Sequence, residues 1–147
     1  MKLIASIMVI LSVTDTTRME LGRIHLSLGE VEKAQAHAEK ALGSARNYNS
    51  KLFEGVVWTW LGHILGKKEH PQFNRAQEYI LKGIKMGEDL KLKPLYSQGY
   101  LVLGELYADM GRQDEARKNL KKAEENFLEM GMDYDLDKTQ RLLERIL

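Results

Sequence analysis

The chain contains no cysteine and only two prolines. The first feature excludes cysteine chemistry, and the second is compatible with a helical protein. Without cysteine the chain can form neither a disulfide nor a thiolate metal site. This composition is compatible with a reducing compartment, and we expect a cytoplasmic protein. Pro71 and Pro94 lie between the apolar-periodic stretches rather than within them, so the prolines leave room for long helices.

An excess of charge of one sign is also missing. The 22 basic and 21 acidic side chains give a formal net charge of +1. Nucleic-acid-binding domains usually carry a clear basic excess. We therefore expect no nucleic-acid partner.

Long apolar runs are scarce as well. Residues 3–13 are almost wholly apolar, but this run is shorter than the roughly 20 residues that a membrane-spanning helix needs. We therefore expect no membrane span. Lys2 in front of the run imitates a secretory signal, yet no small-x-small cleavage site follows. We prefer the interpretation that the run is the remnant of a preceding helix, in a chain cut from a longer protein.

The sequence does contain a pattern of glycine and alanine that occurs three times. The glycine precedes the alanine by 12 residues in the first and third copies and by 14 in the second. Each alanine is followed by small or apolar residues at steps of four, three and four, which form one face of a helix. Small residues at fixed spacing let two helices approach closely, so the pattern predicts three helix pairs. The positions are Gly22 and Ala34, Gly62 and Ala76, and Gly104 and Ala116.

This pattern, clearest in Leu103-Gly104-Glu105-Leu106-Tyr107, resembles the tetratricopeptide repeat. The resemblance implies an all-α fold: an antiparallel helix-pair solenoid of three repeats plus a C-terminal capping helix. The glycines lie 40 and 42 residues apart, longer than the common period of about 34 residues, as in long-helix variants of the family. The predicted division is an apolar N-terminal segment 1–13, repeats 14–50, 51–94 and 95–134, and a capping helix 135–147.

A closer likeness involves the segments that join the predicted pairs. Asp89-Leu90-Lys91-Leu92-Lys93-Pro94-Leu95 and Glu129-Met130-Gly131-Met132 are similar to linkers in the C-terminal repeat region of bacterial multidomain signalling proteins, such as class III nucleotide cyclases with an ATPase module. This likeness implies a regulatory module of a larger signalling protein. The chain itself contains no cyclase or ATPase catalytic motif, so we expect it not to be an enzyme.

In this family a partner is expected on the concave surface lined by the first helix of each pair. The cations at these positions come from the first two repeats and the carboxylates from the third, which predicts a groove with one basic and one acidic end. Such a groove would bind a peptide or helix of opposite polarity. Two alternatives stay open: a merely solvated charged face, and a groove that senses a small-molecule effector. The groove positions are Thr16, Met19, Arg23 and Leu26; Val56, Thr59, His63 and Lys67; and Gln98, Leu101, Glu105 and Asp109.

Catalytic and metal sites find little support in the sequence. The four histidines contain no pair four residues apart, and no glycine-rich phosphate loop occurs. Residues 133–144 imitate a calcium-binding loop, but Lys138 and Arg141 occupy two of its key places, and both would repel Ca²⁺. We expect no metal and no cofactor, and a metal-dependent hydrolase is a remote alternative.

The apolar N-terminal run also suggests self-association. The end of a solenoid exposes apolar surface unless a capping helix covers it, and a twofold dimer is the commonest closed assembly. The sequence therefore predicts a homodimer through the N-terminal end, with a monomer whose segment folds back as a cap as the competing prediction. The dimer contact would involve Ile4, Ile7, Met8, Ile10 and Leu11.

Overall fold

A computed structural model describes residues 21–146 of the chain. This part of the chain consists of seven helices joined by short turns and contains no strand. The all-α prediction is therefore confirmed. The helices are α1 (21–27), α2 (Val31–Asn47), α3 (Lys51–Gly66), α4 (Phe73–Asp89), α5 (Lys93–Asp109), α6 (Gln113–Met130) and α7 (Asp133–Arg145).

Each helix packs mainly against the helices before and after it in the sequence, which is the arrangement of a helix-pair solenoid. We call α1, α3, α5 and α7 the first helices, and α2, α4 and α6 the second helices. The small and apolar stripe that the sequence showed in the second helices is buried. In α2 it consists of Ala34, Ala38, Ala41 and Ala45, and in α6 of Ala116, Leu120, Ala123 and Phe127.

The turns between helices share one geometry. In five of them a residue with positive φ follows the helix, and the next residue donates a backbone hydrogen bond to the carbonyl five positions earlier, which closes the helix end. Three of these residues are glycines, for which positive φ carries no steric cost. The positive-φ residues are Gly29, Asn49, Lys91, Gly111 and Gly131.

The connection between α3 and α4 is the exception. It runs through residues 67–72, and Gln72 donates its backbone hydrogen bond to Leu65, seven positions back, at 3.1 Å. The two extra residues between Gly62 and Ala76 are therefore accommodated in this loop, and the helices on either side keep their register.

Two glycines of the repeat pattern lie where the paired helices are in close contact. A methyl group on Gly62 would lie 2.7 Å from the backbone oxygen of Ala76 in α4. A methyl group on Gly104 would lie 2.6 Å from the Cγ atom of Leu120 in α6. Glycine is needed at both positions because a side chain would push the paired helices apart.

Helix α7 follows the third pair and packs against α6. Its inner face buries Thr139, Leu142 and Leu143, while most of its other residues are exposed and polar. Within the described residues this helix follows the third pair in the place of a first helix, and its role as a capping helix stays a prediction. No helix within residues 21–146 is long and apolar enough to cross a membrane.

Candidate binding cleft

A cleft of about 500 Å³ opens on the side of the array formed by the first helices. All four of them contribute to its lining, and no second helix does. Most of the lining side chains are apolar. They are Arg23 from α1; Leu52, Phe53, Val56, Thr59, Trp60 and His63 from α3; Pro94, Leu95, Gln98 and Val102 from α5; and Lys138 from α7.

The repeat explains why these residues meet. Four residues of α3 that line the cleft each have a counterpart in α5, 42 residues later, that lines it too. This spacing is the period of the repeat, since Gly62 and Gly104 are also 42 residues apart. Equivalent positions on neighbouring parallel helices project in the same direction, so each pair forms one strip across the cleft. The pairs are Leu52 and Pro94, Phe53 and Leu95, Val56 and Gln98, and Trp60 and Val102.

Trp60 forms the aromatic centre of one wall. The Arg23 guanidinium lies over its ring, 5.9 Å from the ring centroid, and the His63 ring stacks beside it at 5.4 Å. A tryptophan against which other planar groups pack offers a large apolar surface, and tryptophan is common among the residues that dominate binding energy.

Five of the residues predicted from the sequence line this cleft, with Thr59 at its floor, and others do not. Arg23, Val56, His63 and Gln98 face it. Thr16 and Met19 lie outside the described residues, as do the five predicted self-association residues, Ile4, Ile7, Met8, Ile10 and Leu11.

Thr59 and Leu101 were predicted to present their side chains in the groove, but both are buried. Thr59 is 6% exposed and donates a hydrogen bond to the backbone oxygen of Gly55, although it reaches the floor of the cleft. Leu101 is 1% exposed and belongs to the core between α5, α6 and α7. The physical reason is that a residue three positions before the packing glycine shares its face of the helix.

The predicted separation into a basic and an acidic end is not what the structure contains. The ammonium group of Lys67, in the turn after α3, lies 2.8 Å from Glu105 and 2.9 Å from Asp109 in α5. Burial lowers the pKa of Lys67, but the two carboxylates outweigh burial and raise it. One predicted cation and two predicted carboxylates therefore form a single cluster beside the cleft, which keeps a net negative charge.

His63 is not a cation at neutral pH. Burial lowers its pKa to about 4, and the negative charge of Glu105, whose carboxylate lies 3.8 Å away, only partly opposes this. The imidazole therefore acts in the cleft wall as a neutral ring that stacks on Trp60.

Helix α7 closes one side of the cleft, a contribution that the sequence reasoning missed. Gln98 donates a hydrogen bond of 2.5 Å to the Asp135 carboxylate, which ties α5 to α7. Lys138 follows one turn later, is exposed and lines the cleft. The signal for it was present. Glu144 lies 28 residues after Ala116, as Gly62 lies after Ala34 and Gly104 after Ala76, so Glu144 occupies the glycine's place. Lys138 lies six residues before Glu144, as Val56 and Gln98 lie six residues before their glycines.

Comparison with known families agrees with this architecture. Residues 16–48 and 97–126 each match the family model described as tetratricopeptide repeat. The first match covers the first helix pair and the second covers most of the third. A search of curated proteins found no match to the chain. The two matches support a tetratricopeptide repeat domain, a type of repeat that generally mediates protein–protein interaction.

Proposed function

We propose that this tetratricopeptide repeat domain is a non-enzymatic interaction module, which binds a peptide or a single helix of another protein in the cleft. The observation that carries the proposal is that all four first helices contribute to one apolar cleft. A volume of about 500 Å³ can hold several side chains of a partner.

The apolar walls supply the driving force for binding. Leu52 is 52% exposed, and covering the remainder of such a side chain with a partner contributes on the order of 1 kcal/mol. Trp60 and the half-buried Phe53 and Val56 beside it add further apolar surface. A partner with a few apolar side chains at helical or extended spacing would therefore gain enough to bind.

A selection from a library of random peptides displayed on phage tests this proposal. We expect the full chain to enrich a family of related peptides. Leu52→Gln removes one apolar contact from the cleft and should weaken those peptides about fivefold. The matched control is Leu81→Gln, because Leu81 is 44% exposed on α4 and lies outside the cleft. Failure to enrich any peptide, or equal binding by both variants, would contradict the proposal.

We further propose that the domain is the regulatory part of a larger cytoplasmic signalling protein. Support comes from Leu103-Gly104-Glu105-Leu106-Tyr107 within α5 and from the turns that precede and follow the third pair, which are similar to the repeat region of bacterial signalling proteins. Sequencing the full reading frame tests this: an adjoining cyclase or ATPase domain would support it, and an open reading frame without any signalling domain would oppose it.

A small-molecule effector is the second candidate occupant, because the cleft volume lies within the range of about 300–1,000 Å³ typical of ligand pockets. A thermal-shift screen of metabolites separates the two occupants. Stabilisation by a metabolite, lost in Leu52→Gln and kept in Leu81→Gln, would favour the effector over the peptide.

We also propose that the chain forms a homodimer through its N-terminal end. The support within the described residues is Leu21 and Ile24 on α1, which are 40% and 52% exposed. The equivalent residues Leu61 and Ile64 of α3 are 3% and 0% exposed, because α2 covers them. Light scattering tests the proposal: a dimeric mass that Leu21→Asp/Ile24→Asp reduces to a monomer is expected, and a monomeric mass for the unaltered chain would oppose it.

A further inference from the structure

We infer that the segment bound in the cleft extends to Tyr134 on α7, and that it places a basic side chain there, beyond the apolar residues that cover Leu52 and Pro94. This inference rests on the proposed function, since it names a further contact residue and the chemistry of the partner that the same cleft would bind.

Tyr134 occupies the same place in its helix as two residues that line the cleft. Leu52 and Pro94 lie ten residues before their glycines, and Tyr134 lies ten residues before Glu144, which has the glycine's place in α7. Lys138, four residues after Tyr134, also lines the cleft. Because residues four apart share one face of a helix, Tyr134 lies on the side of α7 that borders the cleft.

The three equivalent residues are all exposed. Leu52 is 52% exposed and Tyr134 is 81% exposed, and Pro94 is exposed as well. None of the described residues forms a hydrogen bond or a ring contact with Tyr134. A single exposed apolar side chain is ordinary on a protein surface, but three at equivalent positions of successive first helices form a strip that a partner can cover.

This strip sets the direction of the bound segment. Helices α3 and α5 are in contact, and the hydrogen bond from Gln98 to Asp135 ties α5 to α7. The axes of packed helices lie about 8–10 Å apart, so a strip across three helices is roughly 16–20 Å long. About six residues in an extended conformation cover this distance. The segment therefore crosses the first helices instead of running along one of them.

The α7 end of the strip has an excess of negative charge. Residues 133–138 contain three carboxylates and one ammonium group. One of these carboxylates pairs with Arg141, and Lys138 can offset only one of the other two. Asp133 is exposed and forms no ion pair with any of the described residues. A lysine or arginine of the partner can therefore lie over the ring of Tyr134 and close to the carboxylate of Asp133.

The charges beside the rest of the strip are already paired. The lysine that precedes each of the other two strip residues is held in an ion pair, Lys51 with Glu54 and Lys93 with Glu129. The part of the segment that covers α3 and α5 therefore meets apolar side chains and needs no charge of its own. The complementary segment is apolar at one end and basic at the other.

The experiment uses peptides enriched by the full chain in a phage-displayed random library, synthesised with a fluorescent label for affinity measurement. We expect a lysine or arginine within about six positions of the apolar residues, and weaker binding as salt is raised. Tyr134→Ala should weaken the peptides about threefold, whereas Tyr134→Phe keeps the ring and should bind as the unaltered chain does. The matched control is Tyr48→Ala, because Tyr48 is 45% exposed after α2 and lies outside the lining.

A second pair of variants tests the charge. Asp133→Asn should weaken the peptides about twofold and reduce their dependence on salt. The control is Asp114→Asn, because Asp114 is exposed in the first turn of α6 and outside the lining, and it should leave the affinity unchanged. Both aspartates lie at a helix N-terminus, so any effect on the helix itself is shared.

The outcomes separate the two levels of the argument. Enriched peptides without a basic residue, or equal affinity for Tyr134→Ala and Tyr48→Ala, would overturn the contact at α7 while binding in the cleft stands. Enrichment of no peptide at all, or of peptides insensitive to Leu52→Gln, would overturn the proposed function itself. Circular dichroism of each variant, with an unchanged melting temperature, ensures that the differences come from binding.

Discussion

Replacing three equivalent glycines with alanine should give three different losses of stability. Gly22, Gly62 and Gly104 occupy the same place in the repeat, yet the space beside them differs. A methyl group on Gly62 would lie 2.5 Å from Cγ1 of Ile80 and 2.7 Å from the backbone oxygen of Ala76. A backbone atom cannot move aside without displacing α4, so α3 and α4 would have to separate.

The other two sites are less crowded. At Gly104 the close contacts, 2.6 and 2.8 Å, are to side-chain atoms of Leu120, and the nearest backbone atom is 3.2 Å away. At Gly22 the nearest atom is Nε1 of Trp60, at 3.3 Å, and the next is 3.6 Å away. Alanine could therefore be accommodated at Gly22 with a shift of a few tenths of an ångström.

Two opposing energies set the magnitudes. Overpacking costs about 1–3 kcal/mol, whereas alanine in a helix is favoured over glycine by about 1 kcal/mol. Gly62→Ala should therefore destabilise the protein by about 2 kcal/mol and Gly104→Ala by about 1 kcal/mol. For Gly22→Ala the two effects nearly cancel, and we expect a change within about 0.5 kcal/mol of zero.

Urea denaturation followed by circular dichroism measures these differences. We expect the midpoints to fall in the order Gly22→Ala, Gly104→Ala, Gly62→Ala, with similar slopes. If Gly22→Ala lost as much stability as Gly62→Ala, the assignment of close packing to the contacts described above would be wrong.

Two further predictions concern pH and the turns. His63 has a pKa of about 4 in the folded protein and an ordinary value of 6.5. Between these two pH values the unfolded chain binds more protons than the folded protein. The free energy of unfolding should therefore decrease by up to about 3 kcal/mol as the pH falls from 6.5 to 4. Urea midpoints across that range should show a weaker dependence for His63→Gln, and an unchanged dependence would contradict the burial of the imidazole. Lys91 has φ of 56°, so Lys91→Gly should raise stability by about 1 kcal/mol, whereas the control Lys85→Gly, within α4, should lower it by a similar amount. A lower melting temperature for Lys91→Gly would refute the strained turn.

The helix pairs could be predicted because a helix with one buried face has small or apolar residues at regular helical spacing in its sequence. Ala34, Ala38, Ala41 and Ala45 are spaced as one helical face, and they are buried as one face. The longer connection after α3 was visible for the same reason, since two extra residues between Gly62 and Ala76 changed an otherwise constant spacing.

The charges beside the cleft and the residues that line it depend on contacts between helices, and the spacing of residues in the sequence does not determine these contacts. Lys67 reaches from the end of α3 to Glu105 and Asp109 on α5, and this contact brings together charges that were predicted to lie at opposite ends. Leu101 was assigned to the groove by counting, but its position relative to Gly104 turns it to the core. Extending the count to α7 would have identified Lys138.

The central claim is that a partner binds in the cleft formed by the first helices, and the two tryptophans allow a direct test. Trp60 lines the cleft, whereas Trp58 is 6% exposed and lies against Tyr79, Arg46 and Lys82 away from it. In a ¹⁵N-correlated NMR titration with a selected peptide, we expect the indole resonance of Trp60 to shift together with the amides of α3 and α5 that line the cleft. The indole resonance of Trp58 should stay in place. Shifts confined to the exposed faces of α2, α4 and α6, with Trp60 unmoved, would contradict the account.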